Sequence, residues 1–354
     1  MTDASLIPRM NEQSWPEGGL ERVLSCPVCG TTERSLVHDG LSDRVFFTAP
    51  GTWSLWQCGG CRSAYLDPRP DAATIGLAYS RYYTHAEPAG APTRTRFQDL
   101  RFRLANGYRN RRYGATLTPA LALGGHFARL FPPLGWPLDV AYRFMPRPPQ
   151  PGVMRVLDIG CGDGHFLELA RGAGWQVAGV EPDPVSRSLA DKRGIEVRAT
   201  VAEWLDESAS FDFVSISHVI EHVHDPLDLL RNSRALLKSG GTLFIDTPNI
   251  DAVGHEIFGS DWRGLEPPRH LVLFNRRGLS DAVERSGFVK ARYRTRPNPF
   301  ADMWRQSCRI TAGLDPYSPD PGPADAARPP LRLRLRSAVS RRNAEFLTLT
   351  AVKP

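Results

Sequence analysis

Three groups of residues in this chain could do chemistry, and the first is a set of four cysteines. Cys26-Pro-Val-Cys29 and Cys58-Gly-Gly-Cys61 are two C-x-x-C pairs that 28 residues separate. Two such turns can present four thiolates tetrahedrally to Zn²⁺ and leave no open position, so the metal would contribute folding energy rather than chemistry. We therefore predict a structural zinc site at these four cysteines, with a hairpin between the pairs. Paired disulfides and redox-active thiols are the alternatives.

The second group is a glycine-rich turn with an acid after it. Residues 156–164, VLDIGCGDG, end an apolar strand and open a helix, where glycines let a ligand approach the backbone. Glu181 ends the next strand, 21 residues after Gly160, and an acid at that position can hold both hydroxyls of a ribose. Asp158 and Asp163 put negative charge beside the turn, which suits a cationic ligand better than a pyrophosphate. A purely structural turn in an α/β domain is the alternative.

The third group is a histidine-rich stretch, residues 217–225, SHVIEHVHD. A neutral imidazole with a pKa near 6.5 can remove a proton from an oxygen or carbon acceptor, which contributes roughly 10²–10⁴-fold to a rate. His222, with Glu221 beside it, is the first candidate for such a base, and His218 is a further one. The alternative is a histidine that bonds to the backbone and only shapes a pocket.

Another candidate base lies in residues 262–270, WRGLEPPRH. His270 could accept a proton there, and Arg263 or Arg269 could bind a phosphate or carboxylate group of a substrate. In the alternative interpretation, the two prolines stiffen a loop and His270 caps the following strand.

Strands and helices alternate from residue 153 onward and must position the second and third groups. The strand segments are residues 153–159, 176–181, 194–199, 211–216, 241–247, 289–295 and 345–352. This alternation predicts an α/β fold, with a parallel sheet covered by helices on both faces and ligands at the carboxyl ends of the strands.

Composition divides the chain into four regions. We expect residues 1–24 to be disordered, residues 25–90 to form a zinc-binding domain around the four cysteines, and residues 91–150 to form a helical, basic connector. The proline-rich run PRPPQP at the end of the connector marks a boundary. Residues 151–354 form the last domain, in which the Pro- and Arg-rich residues 299–343 are expected to be an irregular insertion before the final strand.

The net charge of +6 is unevenly distributed over the 354 residues. Residues 91–150 hold ten Arg, no Lys and two Asp, a local balance of +8. Such a segment can contact nucleic acid, an anionic membrane surface or a phosphorylated substrate, or be only a solvated helical face. No apolar run reaches the roughly 18 residues of a membrane span, and no secretory leader is recognisable. We expect a cytoplasmic protein with peripheral contact to anionic membranes; collagen, coiled coil and full-length disorder are excluded.

The motifs of the last domain resemble those of the class I S-adenosylmethionine-dependent methyltransferases. VLDIGCGDG carries this resemblance together with GVEPD, FDFVSISHVIEHVHDPL and GGTLFIDTPN. It implies a Rossmann-like sheet of seven strands whose last strand lies antiparallel beside the sixth. It also implies that the glycine turn holds the methionine end of S-adenosylmethionine, that Glu181 holds the ribose, and that Pro182, Ala202 and Glu203 lie at the adenine. The residues thereby assigned to the cofactor are Asp158, Gly160, Cys161, Gly162, Asp163, Gly164, Glu181, Pro182, Ala202 and Glu203.

The front region resembles another part of this superfamily. The cysteine pairs followed by SAYLDPRPD and SRYYTH are similar to the zinc-ribbon-like front domain of bacterial methyltransferases that act on sugars and related metabolites. Glu221-His222 is similar to the Glu-His pair of those enzymes, which implies a catalytic role for it. The long additional C-terminal domain of the sugar C-methyltransferases has no counterpart in this sequence, so the resemblance favours oxygen over carbon as the methylated atom.

We therefore expect an enzyme that methylates a small-molecule or glycan acceptor, in the first place a hydroxyl of a sugar or secondary metabolite. An RNA methyltransferase with a zinc front domain is the first alternative. The zinc ligands of that RNA methyltransferase family include a histidine, whereas the four candidate zinc ligands of this chain are all Cys. Nucleic acid is therefore disfavoured as a partner. A non-catalytic binding module is the other alternative, which the intact glycine turn and ribose acid argue against.

Overall fold

The computed structural model describes residues 14–80, 95–297, 299–318, 322, 328–339 and 342–354, without the side chains of residues 127–129, 338 and 339. The strands of these residues are β1 (Leu20–Glu21), β2 (Arg34–Leu41), β3 (Trp53–Cys58), β4 (Ala64–Leu66), β5 (Arg69–Pro70), β6 (Arg155–Ile159), β7 (Gln176–Val180), β8 (Glu196–Arg198), β9 (Phe211–Ser217), β10 (Leu237–Pro248), β11 (Val272–Leu273), β12 (Val289–Tyr293) and β13 (Phe346–Val352). The helices are α1 (Arg96–Tyr113), α2 (Leu123–Leu130), α3 (Trp136–Ala141), α4 (His165–Gly172), α5 (Pro184–Lys192), α6 (Pro226–Leu236), α7 (Val253–Phe258), α8 (Arg276–Arg285), α9 (Phe300–Thr311) and α10 (Leu331–Val339).

Seven strands form one sheet in the order β12-β13-β10-β9-β6-β7-β8. Five neighbouring strands, β10, β9, β6, β7 and β8, are parallel to one another. β13 lies between β10 and β12 and is antiparallel to both. This topology confirms the predicted α/β sheet with its last strand beside the sixth. Strands buried on both faces appear in the sequence as continuous apolar runs, which is why they could be recognised.

Capping residues determine where the helices on this sheet begin. Asp225 accepts a hydrogen bond from Asp228 N at 2.8 Å, and a proline occupies the first position of α6. Asn275 caps α8 by accepting from Gly278 N at 2.7 Å. Because such caps are encoded beside the helices they start, helices form between the strands, as the predicted alternation requires.

A second, antiparallel sheet, which we call the front sheet, has the order β11-β4-β3-β2. β2 and β3 are the hairpin expected between the two cysteine pairs. β11 comes from the last domain, with Val272 opposite Tyr65 and Leu273 opposite Ala64. The structure therefore differs from the predicted division at residues 90 and 151, because a strand of the last domain completes the sheet of the first.

Residues 14–24 pack against the front sheet, although disorder was predicted for residues 1–24. Trp15 is buried with its ring edge-on to Trp53 at 5.3 Å, and its Nε1 donates to Gly19 O at 3.1 Å. β1 pairs with β5 in the same region. Trp15 and Val23, which are both buried, anchor a segment whose polar composition suggested disorder. Residues 1–13 lie outside the described residues.

α1, α2 and α3 form the predicted helical connector, residues 95–147 of the described chain. Thr95 and Gln98 form a capping box at the start of α1. Tyr113, Tyr142 and Met145 are buried in one cluster with apolar residues of β6, α4 and the strands beside them. The connector thus packs on the main sheet with the end of α1 and with the residues after α3. The predicted connector also included residues 91–94, which, like residues 81–90 of the predicted zinc domain, lie outside the described residues.

Residues 299–343 are not irregular throughout, as the sequence had suggested. Phe300, Met303 and Ile310 are buried along one face of α9, and α10 follows it. Their separations of three and seven residues are helical, but the surrounding Pro and Arg residues obscured this pattern. Residues 319–321, 323–327, 340 and 341 lie outside the described residues. In the part of the chain that the structure describes, no helix is both long enough and apolar enough to cross a membrane.

Candidate functional site

The glycine-rich turn after β6 lies at the carboxyl edge of the main sheet. Gly160, Gly162 and Gly164 have φ angles of 75°, 56° and 84°, which other residues rarely adopt. A Cβ on Gly160 would lie 2.3 Å from a side-chain carbon of Val219, whereas a Cβ on Gly162 would have nothing within 4 Å. A ligand can therefore approach the backbone closely at Gly162.

Glu181 follows β7 and holds this turn in place. Its Oε2 accepts from Gly162 N at 2.9 Å, and its Oε1 accepts from Asp183 N at 2.9 Å. Burial raises the pKa of Glu181, although these two backbone groups oppose the shift. Each carboxylate oxygen has a second lone pair, so Glu181 can also accept hydrogen bonds from the two hydroxyls of a diol.

Asp158 on β6 is fully buried and only partly hydrogen-bonded. Its Oδ1 accepts from Arg143 of the connector, whereas its Oδ2 has no hydrogen-bond partner among the described residues. Burial raises the pKa of Asp158 to about 6, although Arg143 opposes the shift. Arg143 also donates to Ser215 and lies 3.7 Å from the ring centroid of Phe166. A buried carboxylate oxygen without a partner, beside a guanidinium, suits the ammonium and carboxylate of an amino acid.

The other predicted cofactor residues lie at the same edge and have varied surroundings. Asp163 forms an ion pair with an arginine at 2.9 Å, and Glu203 accepts from a threonine hydroxyl at 2.9 Å. Cys161 is buried, and burial raises the pKa of its thiol, so it is unreactive. Pro182 and Ala202 are exposed.

His218 lies between two carboxylates at the end of β9. Its Nδ1 is 3.6 Å from Glu221 Oε1, and its Nε2 is 3.5 Å from Asp246 Oδ2. Desolvation opposes the positive charge of His218, but Asp246 and Glu221 outweigh it and raise the pKa of His218 to about 9. A protonated imidazole cannot accept a proton, so this geometry disfavours His218 as the base.

His222 and His270 meet beside Glu221. The ring centroids of the two histidines are 4.7 Å apart, and one ligand atom from each of the three residues lies within 4.8 Å of the others. Nδ1 of His222 is 3.1 Å from Arg269 O, and Nδ1 of His270 is 2.8 Å from Gly264 O. Because a carbonyl oxygen only accepts, we assign the proton of each neutral ring to Nδ1, which leaves the lone pair on Nε2.

The surroundings of this trio favour proton transfer. Burial keeps His270 uncharged by lowering its pKa to about 4. Glu221 is fully buried; its Oε2 accepts from Thr247 Oγ1 at 2.9 Å and its Oε1 has no hydrogen-bond partner among the described residues. Burial disfavours the charge of Glu221, but the neighbouring histidines favour it, and its pKa is lowered. A hydroxyl placed here meets an imidazole lone pair beside a carboxylate; the same three groups also have the composition of a metal-ion site.

Tyr79, which precedes the connector, contacts this trio. Its hydroxyl lies 2.9 Å from His222 Nδ1. The proton that we assign to Nδ1 is therefore shared between the Tyr79 oxygen and the Arg269 carbonyl. Tyr79 thus helps to fix the ring of His222 with its Nε2 directed away from these two groups.

The arginines beside His270 serve the protein rather than a substrate. Arg269 is fully buried, and its guanidinium pairs with Asp43 before β3 and with Glu266. Arg263 pairs with Glu266 at 2.6 Å. Because internal carboxylates already neutralise both arginines, the structure disfavours the expectation that they bind a substrate phosphate or carboxylate.

The four cysteines converge as predicted. Sγ of Cys26 is 3.6 Å from Sγ of Cys61, Sγ of Cys29 is 3.4 Å from Sγ of Cys58, and all four sulfurs lie within 4.8 Å of one another. Tetrahedral Zn–S bonds of ~2.3 Å separate two sulfurs by roughly 3.8 Å. The cluster therefore has the dimensions of a zinc site with four cysteine ligands, and its sulfurs are too far apart for disulfides.

Comparison with known proteins identifies the family. A family model described as a methyltransferase domain matches residues 134–292. The ubiquinone biosynthesis O-methyltransferase of Ruegeria pomeroyi is 34% identical over 190 residues, which cover 46% of this chain and 74% of that protein. The chain belongs to the S-adenosylmethionine-dependent methyltransferases. The enzyme of the same name from Methylocella silvestris is 32% identical to this methyltransferase over 176 residues, 44% of this chain and 67% of that protein.

Solved structures of methyltransferases also resemble this one. A methyltransferase of Archaeoglobus fulgidus gives a TM-score of 0.40 at 22% identity and covers 57% of this chain and 87% of its own. Phosphoethanolamine N-methyltransferase 2 of Haemonchus contortus, solved with S-adenosyl-L-methionine, gives a TM-score of 0.42 at 21% identity. The match covers 76% of this chain and 61% of that protein.

The cofactor of this family fits the residues found here. The free Oδ2 of Asp158 can receive an ammonium group, the open backbone at Gly162 can accommodate a ligand, and Glu181 has the remaining lone pairs for a ribose. The sequence analysis had assigned these three residues to the cofactor, and that assignment stays a prediction. Sequence reasoning missed Arg143 and Tyr79, for which the only signals were a basic segment and an aromatic stretch without a functional pattern.

Proposed function

We propose that this methyltransferase methylates a hydroxyl oxygen of a small-molecule acceptor, in the first place a sugar or related secondary metabolite. The observation that carries the proposal is the geometry of His222. Its Nδ1 is held by the Arg269 carbonyl at 3.1 Å, and the fully buried Glu221 precedes it in the chain. This leaves Nε2 to receive a proton, which a hydroxyl must lose when its oxygen is methylated.

The described residues support the following roles in binding and proton transfer. When bound, S-adenosylmethionine supplies an electrophilic methyl group. Glu181 would hold the ribose hydroxyls, while Asp158 and Arg143 would hold the ammonium and carboxylate of the methionine end. The acceptor hydroxyl donates to His222 Nε2, which orients its oxygen. The proton moves to Nε2 as the oxygen is methylated, and Glu221 stabilises the imidazolium that results.

His270 and Tyr79 position this base. The buried His270 ring packs edge-on against His222 at 4.7 Å, and Tyr79 receives part of the Nδ1 hydrogen bond. Together they restrict rotation of His222, so that its lone pair keeps one direction. Restricted rotation matters because the rate of a bimolecular transfer depends steeply on orientation.

A phenolic hydroxyl is the second candidate acceptor. The relatives named ubiquinone biosynthesis O-methyltransferases support it. The sugar acceptor is supported by the front region, whose motifs are similar to those of sugar methyltransferases. Tyr79 of this region contacts His222, and Asp43 pairs with Arg269, the residue before His270.

We also propose that Zn²⁺ occupies the four cysteines in a structural role. Four thiolates at tetrahedral spacing fill the coordination sphere of Zn²⁺ and leave no position for a substrate. The metal would hold the turns that flank β2 and β3, and through them the edge of the front sheet.

The test is a methyl-transfer assay on the zinc-loaded protein with labelled S-adenosylmethionine. Nucleotide-linked sugars form one acceptor panel and catechols the other, and NMR identifies the methylated atom. His222→Asn should lower kcat by about 10²–10⁴-fold and leave cofactor affinity unchanged in calorimetry. His224→Asn is the control, because His224 Nε2 bonds to Pro70 O at 2.9 Å, outside the trio. Methylation of nitrogen or carbon, or full activity of His222→Asn, would contradict the proposal.

A further inference from the structure

We propose that the outer part of the helical connector docks on an anionic lipid membrane. The surface that we call the docking surface consists of six apolar residues and four arginines of α1, α2 and the turn after α2. These residues are Phe97, Leu100, Leu123, Leu130, Phe131, Leu134, Arg96, Arg101, Arg111 and Arg112.

The apolar residues of this surface are unusually exposed. All six have relative exposures between 46% and 72%, and they lie within one stretch of the chain, residues 97–134. Single exposed apolar side chains are normal on a soluble protein, whereas a concentration of large ones marks an interaction site. Two phenylalanines and four leucines are the residue types that enter the interface of a bilayer.

The buried part of the connector lies elsewhere on it. Tyr113, Tyr142 and Met145 belong to the core cluster on the main sheet, with Tyr108 and Phe144 packed against it. None of the six exposed residues is part of a core cluster of the described residues. The connector is therefore anchored by the end of α1 and by the residues after α3, and the six exposed apolar residues take no part in that core.

α1 and α2 form one rigid unit beneath this surface. Leu121 N donates to Arg103 O at 2.9 Å. A Cβ on Gly107 would lie 1.7 Å from Leu121 O, and a Cβ on Gly124 would lie 1.8 Å from Leu104 O. Such close approach of two backbones is possible only at glycine, and it fixes the exposed side chains of both helices relative to each other.

The charge of the surface selects the kind of membrane. Within the described residues, none of the four arginines forms an ion pair with a carboxylate. The Cζ of Arg101 lies 5.9 Å from the ring centroid of Phe97, and Arg111 contacts the imidazole of His126 at 2.9 Å. Arginines that lie among exposed apolar side chains can keep their guanidinium groups at the level of anionic headgroups while the apolar groups enter the lipid. A nucleic acid would use the arginines but would leave the four leucines in water.

Docking would bring the methyl-transfer site to the lipid. The same connector ends in Arg143, which bonds Asp158, and in Phe144, whose ring lies 6.4 Å from that of Phe244 on β10. An amphiphilic or lipid-linked acceptor could then reach the site without leaving the membrane. The docking itself does not depend on the acceptor proposed above, and its test measures binding alone.

The experiment is vesicle flotation of the full zinc-loaded chain. We expect binding to vesicles that contain phosphatidylglycerol, weak binding to phosphatidylcholine alone, and a decrease as salt rises. The double variant Leu130→Ser/Phe131→Ser should lower the partition coefficient at least about tenfold, and Arg96→Gln/Arg101→Gln about tenfold at low salt. Leu331→Ser/Leu335→Ser on α10 is the matched control, since those leucines are 68% and 56% exposed.

Calorimetric binding of S-adenosylmethionine verifies that each variant is folded. Equal binding to both kinds of vesicle, or no loss in either connector variant, would overturn the proposal. So would a loss of the same size in the α10 control. The wild type could instead be a dimer that the Leu130→Ser/Phe131→Ser variant converts to a monomer, with no lipid binding by the wild type or the variant. That result would overturn the proposal, because a second copy of the chain would cover the docking surface. Salt-dependent binding of RNA without flotation would mean that the arginines serve nucleic acid.

Discussion

The cofactor half and the acceptor half of the site are built in opposite ways. The cofactor half consists of the glycine turn and Glu181, which lie within 22 residues of one another on two adjacent strands. The acceptor half joins residues from distant parts of the chain: Arg269 and Asp43 are 226 residues apart, and Tyr79 and His222 are 143 residues apart. One half is thus a local property of the sequence and the other a property of the whole fold.

The front sheet links these distant parts. Leu66 N on β4 donates to Leu271 O at 3.1 Å, and Leu271 N donates to Glu221 O at 2.8 Å. A path of backbone hydrogen bonds therefore runs from the front sheet through the residue after His270 to Glu221. Because of this path, a change that disrupts the front sheet should lower methyl transfer through the acceptor half and leave cofactor binding by the cofactor half unchanged.

The largest expected effect comes from the cysteine cluster. Cys58→Ser should release the zinc that we propose there and lower methyl transfer by more than about 100-fold, because β3 and the sheet edge lose their support. Calorimetry should find the affinity for S-adenosylmethionine within about threefold of the wild type, since Glu181 and the glycine turn lie on other elements. Cys308→Ser is the control, because Cys308 lies on α9 outside the cluster. Equal loss of cofactor binding would mean that the two halves are not separable.

A smaller effect is expected at the buried ion pair that supports the acceptor half. Asp43→Asn removes a fully buried carboxylate from Arg269 and should lower the free energy of unfolding by about 3 kcal/mol, because a guanidinium charge stays buried with one partner fewer. Chemical denaturation gives the value. Asp39→Asn is the matched control, since Asp39 is exposed and accepts only from Ser54 Oγ among the described residues. Similar losses in the two variants would show that burial of the pair is unimportant.

The same contrast explains what could be predicted from the sequence. The glycine turn, Glu181 and the strand order depend on short-range patterns, and the structure has them where they were expected. Asp43 and Tyr79 could not be predicted as parts of the site, because nothing near them in the sequence indicates that the front sheet faces His222. The strand β11 was missed for the same reason, since two residues acquire strand geometry only by pairing with β4.

The wrong predictions for residues 14–24 and for α9 have another physical cause. The composition of residues 14–24 suggested disorder, but two buried residues, Trp15 and Val23, fix the segment. In α9, Phe300, Met303 and Ile310 supply a helical face that its Pro- and Arg-rich surroundings concealed. Average composition therefore underestimated order wherever a few well-spaced apolar residues decide the structure.

The cofactor half should respond to changes that leave the fold intact. Glu181→Gln keeps the size of the side chain but removes its charge, and it should weaken binding of S-adenosylmethionine about 10- to 100-fold, the range for a hydrogen bond to a charged group. Calorimetry gives the affinity, and denaturation should show a loss of about 1–3 kcal/mol in the free energy of unfolding, because the Gln amide nitrogen cannot accept from one of the two backbone N–H groups that Glu181 binds.

Glu203→Gln is the comparison variant within the same half. Glu203 is exposed and already accepts from Thr200 Oγ1 at 2.9 Å, so we expect less than about a threefold change in affinity. An equal or larger effect at Glu203 would mean that the adenine contact contributes at least as much as the ribose contact.

The smallest effect is expected at His218, where the two halves meet. The pKa of His218 is raised to about 9 from its ordinary value near 6.5 by Asp246 and Glu221. A raised pKa in the folded state adds stability that is fully present below about pH 6.5 and is lost as the pH rises through about 9. The side chain is 45% exposed, so solvent screening should keep the contribution below about 1 kcal/mol.

Denaturation of the wild type should therefore show unfolding free energy that falls from pH 6.5 toward pH 9, and His218→Gln should reduce that slope. Asp246 and Glu221 stay ionised over this range because their pKa values are lowered, so the difference between the two proteins isolates His218. An unchanged slope would mean that His218 is not held as a cation. It would then become a second base candidate beside His222, and the boundary between the cofactor half and the acceptor half would have to move to include it.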